Sequence, residues 1–210
     1  MTELVIVLST LRTSAAHLTY APRSVFSHDA RLEQTLETLR SVREKIPEAF
    51  ILFVDATGSH PEIQKLCDSV WIPETSDVLS AVNSPIKGLG EAVLLQTALR
   101  VLKMSDLRLP KRIWKINGRY SLNEKFSLED WDPSKSQAHF YNPKSCCTVL
   151  YTVTPADLER FSIFVNESAS RFNVNPPPGM ETIWSEFPFS HIDKLGVRGK
   201  VSVSGEEWSR

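Results

Sequence analysis

Glycine is scarce and late in this 210-residue chain: there are eight, and the first is Gly58. A dinucleotide-binding domain needs glycines directly after its first strand, where the backbone must approach a pyrophosphate. Methyltransferases of the usual α/β kind, and sugar nucleotidyltransferases with a glycine-rich first loop, share that need. Here the first apolar run, "LVIVLS", leads into "TLRTSAAHLTYAPRS", so all three classes are excluded. No P-loop and no G-x-S-x-G elbow occurs. Cysteine is sparse too. Cys67 and the adjacent Cys146-Cys147 make no disulfide framework, have no metal-ligand spacing, and fit a reducing compartment. The five histidines, at 17, 28, 60, 139 and 191, are dispersed. No apolar run approaches the ~20 residues of a membrane span. The opening "MTELVIVLSTLR" reads as a first strand and not as a signal peptide. An excess of one charge is also missing: the net charge is −1, which gives no basic field for nucleic acid or an anionic membrane. The expectation is a cytoplasmic protein, able to work beside a membrane as a peripheral one, that contacts no nucleic acid and has a local small-molecule site.

What is present is an alternation of apolar strands and amphipathic helices. "LVIVLS" is continuous and β-branched, as in a buried parallel strand. In "HDARLEQTLETLRSVREKI" the residues Leu32, Leu36, Leu39, Val42 and Ile46 share a helix face, and Pro47 ends it. "AFILFVDATG" is a second strand, "PEIQKLCDSV" a short helix, "SVWIP" a third strand and "ETSDVLSAVNSPI" a polar loop. "KGLGEAVLLQTALRVLK" is a buried helix and "KRIWKIN" a fourth strand. Strand and helix in alternation imply parallel pairing with right-handed crossovers, an α/β sandwich whose ligands bind beyond the carboxyl ends of the strands. After residue 126 the style changes. "AHFYN" and "CCTVLYTV" read as antiparallel strands, and "PADLERFSIFVNESASRF" as an amphipathic helix. "NPPPG" reads as a rigid turn, "METIWSEF" as a short helix and "KLGVRGKVSVSG" as a closing hairpin. No linker marks a boundary, so residues 1–210 are expected to form a single domain.

Candidate ligand residues stand just after the strands: Ser9 and Thr10, Asp55, and the trio Asn117, Gly118 and Arg119. Arg23 precedes a helix N-terminus that favours an anion, although it could equally pair with Asp29 or Glu33. Lys87 and Gly88 open a buried helix, where the alternatives are anion binding or close packing on the sheet. In "KINGRY", alternation puts Lys115 and Asn117 on one face and Trp114 and Ile116 on the other. Gly118 allows an unusual backbone, and Arg119 offers a planar fork to phosphate or carboxylate, its alternative being a salt bridge.

The order of "RSVFSHDARLEQTLETLRSVREKIPEAFILFVDATG", "KGLGEA" and "WKINGRYSLNEKF" resembles GT-A-type glycosyltransferase-like proteins from glycan-building gene clusters of bacteria and large viruses, marked by a K-x-x-G-R-Y strand exit. The resemblance implies a nucleotide-binding half over residues 1–126 and an acceptor-side half over 127–210. It implies transfer of a sugar from a nucleoside-diphosphate donor to a glycan, glycoprotein or glycolipid acceptor. A divalent cation, Mn²⁺ or Mg²⁺, normally held by an Asp-x-Asp pair at the fourth strand's end, belongs to that pattern. Here the strand ends in Asn117-Gly118-Arg119, and the literal Asp130-Trp131-Asp132 comes too late and reads as a surface turn or helix start. Lys115 and Arg119 are therefore expected to supply the charge that a metal would give the leaving diphosphate. Glu181, at a late helix start, is the candidate general base, its alternative being a first-turn helix acid. His191 falls where some of these enzymes place a metal ligand. Two other readings remain: a non-catalytic domain of this fold that binds a nucleotide or glycan, and an α/β hydrolase or phosphatase using Asp55.

Overall fold

The computed structural model describes residues 3–13, 24–105, 110–201 and 203–210. The first strand, β1 (Leu4–Ser9), is buried along its whole length. Helix α1 (His28–Lys45) starts where Ser27 accepts a hydrogen bond from Ala30 N–H, and its Leu36, Leu39 and Val42 face the core. Next come β2 (Phe50–Asp55), α2 (Pro61–Leu66) and β3 (Ser69–Trp71). The segment expected to be a polar loop instead holds α3 (Ser76–Asn83). Thr75 precedes it, Asp77 sits in its first turn, and Val78, Ala81 and Val82 bury one face at the i, i+3, i+4 spacing. Its serines and asparagine disguise that stripe.

The chain continues through α4 (Lys87–Met104), β4 (Ile113–Asn117) and β5 (Tyr120–Leu122). Asp130 closes a short 3₁₀ turn (Leu128–Asp130), and Trp131 and Asp132 come directly after it. Trp131 packs edge-on against Trp114, with ring centroids 4.8 Å apart, and Asp132 pairs with Lys135 at the surface. The remainder is β6 (Gln137–Asn142), β7 (Ser145–Val153), α5 (Leu158–Arg171), α6 (Met180–Trp184), β8 (Ser190–His191), β9 (Val197–Lys200) and β10 (Glu207–Ser209). The closing hairpin thus reaches past residue 205. Its β9 also pairs with β5, making a small antiparallel sheet in the order β10-β9-β5.

The main sheet has seven strands in the order β3-β2-β1-β4-β7-β6-β8. β1 pairs in parallel with both β2 and β4, β2 with β3, and β6 with β8; β7 is antiparallel to its two neighbours. Side-chain alternation sends Ile6, Leu8, Leu52 and Val54 into one apolar cluster with α3, α4, α5 and α6. It sends Val5, Val7, Ile51 and Phe53 into the other, with α1, α2 and the small sheet. Among the described residues no helix is long and apolar enough to cross a membrane.

From β1 the chain moves outward to β2 and β3, then returns to place β4 on the other side of β1. That reversal leaves a crevice beyond the carboxyl ends of β1 and β4, the position where open α/β sheets bind ligands.

Candidate functional site

At that crevice β1 ends in Ser9 and β4 in Asn117. Gly118 N–H donates to the Leu8 carbonyl at 2.8 Å, and the Thr35 hydroxyl donates to the Gly118 carbonyl at 2.8 Å. Ser9 Oγ lies 3.2 Å from Thr35 Oγ1, which closes a buried clamp between β1, α1 and the β4 exit. Gly118 does not have the positive φ expected of it. Glycine is needed there for close approach, because a Cβ would sit 3.0 Å from the Cβ of Ser9.

Asp55 braces the neighbouring loop. Its carboxylate accepts from Leu11 N–H at 2.7 Å and from both the N–H and the hydroxyl of Thr57 at 2.6 Å. The residue has no exposed surface, and burial raises its pKa above the ordinary value against those hydrogen bonds. The direct ligand contact expected of a residue just after a strand does not suit a side chain so enclosed. Asp55 instead ties the β1 exit to the β2 exit, and a nucleophilic role there is equally closed off.

A small cavity of about 80 Å³ opens above the clamp, walled by Ser9, Thr10, Arg31, Lys87, Glu91 and Arg119, among others. Arg31, on α1, donates from Nε to the Thr10 carbonyl at 2.6 Å. Arg119, following β4, makes no ion pair among the described residues, and its Nη1 is buried without a hydrogen-bond partner. Burial lowers its pKa, but a guanidinium stays charged. Lys87 is the first residue of α4, a helix start with no side-chain cap, so unmet N–H groups add to its positive end. The residue is exposed, yet the walls around its ammonium, and next the Arg119 guanidinium, push it down to about 8. Among the described residues, three cations therefore converge on a cavity with one carboxylate, Glu91.

Glu91 is held from below. Lys115 has 1% of its surface exposed, and its ammonium is bound to Glu91 Oε1 and to the Thr148 carbonyl, over the Tyr151 ring. Direct phosphate contact by Lys115, as expected from its place in the strand, is not what this position offers. The lysine faces the side that alternation assigned to it but lies beneath the cavity, spent on Glu91.

A second cavity, about 260 Å³, continues from Lys87, Glu91, Asn117 and Arg119 toward Thr148 on β7 and the Pro177–Glu181 segment. It brings Glu181, in the first turn of α6, into one enclosure with the two cations. Gly88 borders this cavity, but its lack of a side chain serves packing: a Cβ would meet the Phe172 ring at 2.6 Å. A third cavity, about 670 Å³, lies between α1 and the small sheet, with Arg119 in its wall as well.

His191 lines none of these. Its Nδ1 accepts from Phe140 N–H at 3.1 Å and its Nε2 meets Asp193 at 3.1 Å on the β6–β8 edge. Among the described residues no group of three His, Cys, Asp or Glu side chains could hold a metal ion. The groups at the β4 exit are an amide and a guanidinium, and the nearby Glu91 is already neutralised by Lys115, so this donor set does not fit a divalent cation. Arg23 lies outside the described residues. Arg31 and Thr35 are the members that sequence reasoning left out of the site. A helical arginine and threonine one turn apart, on a buried face that also carries Thr38 and Ser41, are the one hint of Arg31 and Thr35.

No family model matches the sequence, and no curated protein matches it. Among solved structures, the chain is similar to a glycosyltransferase involved in the glycosylation of the major capsid of PBCV-1. That similarity covers 89% of this chain and 71% of the other at 12% identity, with a TM-score of 0.42.

Proposed function

We propose that this chain is a glycosyltransferase of GT-A type that moves a sugar from a nucleoside-diphosphate donor to a glycan or glycoconjugate acceptor. The observation that carries the reading is Arg119: a guanidinium with a buried, unpartnered Nη1 at the β1–β4 crevice, beside Lys87 at an uncapped helix start. Such a group demands an anion, and a fork of N–H donors next to a helix N-terminus matches a diphosphate. The sugar half of the donor then extends into the cavity that holds Glu181.

On this reading the acceptor hydroxyl attacks the anomeric carbon while its proton passes to Glu181. The bond from that carbon to the diphosphate oxygen breaks, and the nucleoside diphosphate leaves with the electron pair. Lys87 and Arg119 stabilise the charge that grows on it. Glu91, fixed by Lys115, balances the two cations and limits their mutual repulsion. No step is routed through a metal ion.

The test is release of nucleoside diphosphate from a panel of nucleotide sugars offered with oligosaccharide acceptors. Glu181→Gln keeps the shape of the side chain and removes its basicity. Transfer should fall by roughly 10²–10⁴-fold with donor affinity nearly unchanged. Transfer at the wild-type rate would return Glu181 to a first-turn helix acid. Donor binding without turnover in the wild-type chain would leave a binding domain in place of an enzyme.

A further inference from the structure

The third cavity has a chemistry unlike the anion pocket on the other side of Arg119. Its 670 Å³ lies within the range of small-ligand sites. The charged residues around it are Glu33, Glu37, Glu124 and Glu207 against Arg119, Arg198 and Lys200, so cations are not in excess. Glu37 meets Arg198 at 3.2 Å across the cleft, and Glu33 pairs with Arg40 at 3.0 Å. Among the residues that line it, two buried side-chain atoms are unmet. Gln34 Oε1, on α1, and Arg119 Nη1 are both buried with no hydrogen-bond partner, and both residues line this cleft.

An aromatic side chain completes the wall. Tyr120, Gly199 and Trp208 stand in register across the three strands of the small sheet. With no side chain on the middle residue, the two rings meet edge to face at 5.5 Å. Trp208 stays partly exposed and borders the cleft. A pyranose has an apolar C–H face that packs on an indole and a rim of hydroxyls that both donate and accept. A cleft offering an aromatic surface and an unmet acceptor, with no excess of cations, matches that pattern.

We infer that the cleft between α1 and the β5–β9–β10 sheet is a binding site for a neutral saccharide, with Trp208 as the stacking surface and Gln34 as a hydrogen-bonding partner. Arg119 Nη1 is the donor held for the diphosphate, so the polar contact of the saccharide here is Gln34. The inference needs only the cleft and does not rest on the transfer reaction.

The test uses the full chain with neutral hexaoses of glucose, mannose, galactose, xylose and N-acetylglucosamine. Binding is followed by saturation-transfer NMR and calorimetry, with hexagalacturonate as the charged counterpart and pyrophosphate as the ligand of the other pocket. At least one neutral hexaose should bind and hexagalacturonate should bind more weakly. Trp208→Ala should weaken that binding by about tenfold or more. Gln34→Leu, a substitution on α1 and not on the small sheet, should weaken it roughly fivefold. Pyrophosphate binding should be unchanged in both variants. The inference is overturned if no neutral hexaose binds, if both variants bind as the wild type does, or if hexagalacturonate is preferred. Saccharide binding in a chain that ignores pyrophosphate would support the cleft and sink the diphosphate reading instead.

Discussion

Arg119 buries its Nη1 without a partner, and Lys87 stands beside it with its own pKa pushed down to about 8. A buried polar group that lacks a hydrogen bond destabilises the fold that contains it. Arg119→Met should therefore raise the melting temperature of the ligand-free chain, by roughly 2–4 °C for each kcal/mol relieved. It should at the same time weaken pyrophosphate binding by the 1.5–3 kcal/mol or so of a charge-assisted hydrogen bond. A melting temperature that drops would mark Arg119 as a structural residue. Lys87 gives the site a pH dependence. Its ammonium is charged below about 8 and neutral above, so anion binding should be strongest on the acid side and decline as the pH rises through that value. Lys87→Gln should flatten the calorimetric profile between about pH 7 and 9. A profile unchanged by the substitution would take Lys87 out of the site.

At the scale of elements, β4 and α4 are joined by the buried pair of Lys115 and Glu91, and α3 and α4 by a glycine contact. Lys115→Ala leaves Glu91 without its counter-ion and opens space under the cavity. It should cost about 3–5 kcal/mol of stability in urea unfolding. Loss of anion affinity with stability unchanged would restore the direct phosphate role. Gly90 packs against α3, where a Cβ would lie 3.0 Å from the Cα of Val82. Gly90→Ala should lower stability by about 1–3 kcal/mol, because backbone and not a flexible side chain must yield. Strands and the longer helices were legible because periodicity is a local property: β1, β2, β4, α1 and α4 follow from their apolar spacing alone. The polar network was not. Asp55 meets Leu11 across 44 residues and Lys115 meets Glu91 across 24, and a strand-end polar residue looks the same whether its partner is a ligand or the protein. Gly118 was legible as a special position, but for the wrong reason, since crowding by Ser9 is a tertiary fact.

Across the whole molecule, the strand order places the β1–β4 crevice at the centre of the sheet, and Arg119 borders three cavities there. The central claim is that this guanidinium seats the diphosphate of a nucleotide donor. The most direct measurement is calorimetric titration of uridine, guanosine, cytidine, adenosine and thymidine diphosphates into the wild-type chain and into Arg119→Ala. At least one nucleotide should bind the wild type, and the variant, still folded by circular dichroism, should bind it roughly 10–150-fold more weakly, the equivalent of about 1.5–3 kcal/mol. Equal affinity in the two proteins, or no binding of any of the five to the wild type, would contradict the claim.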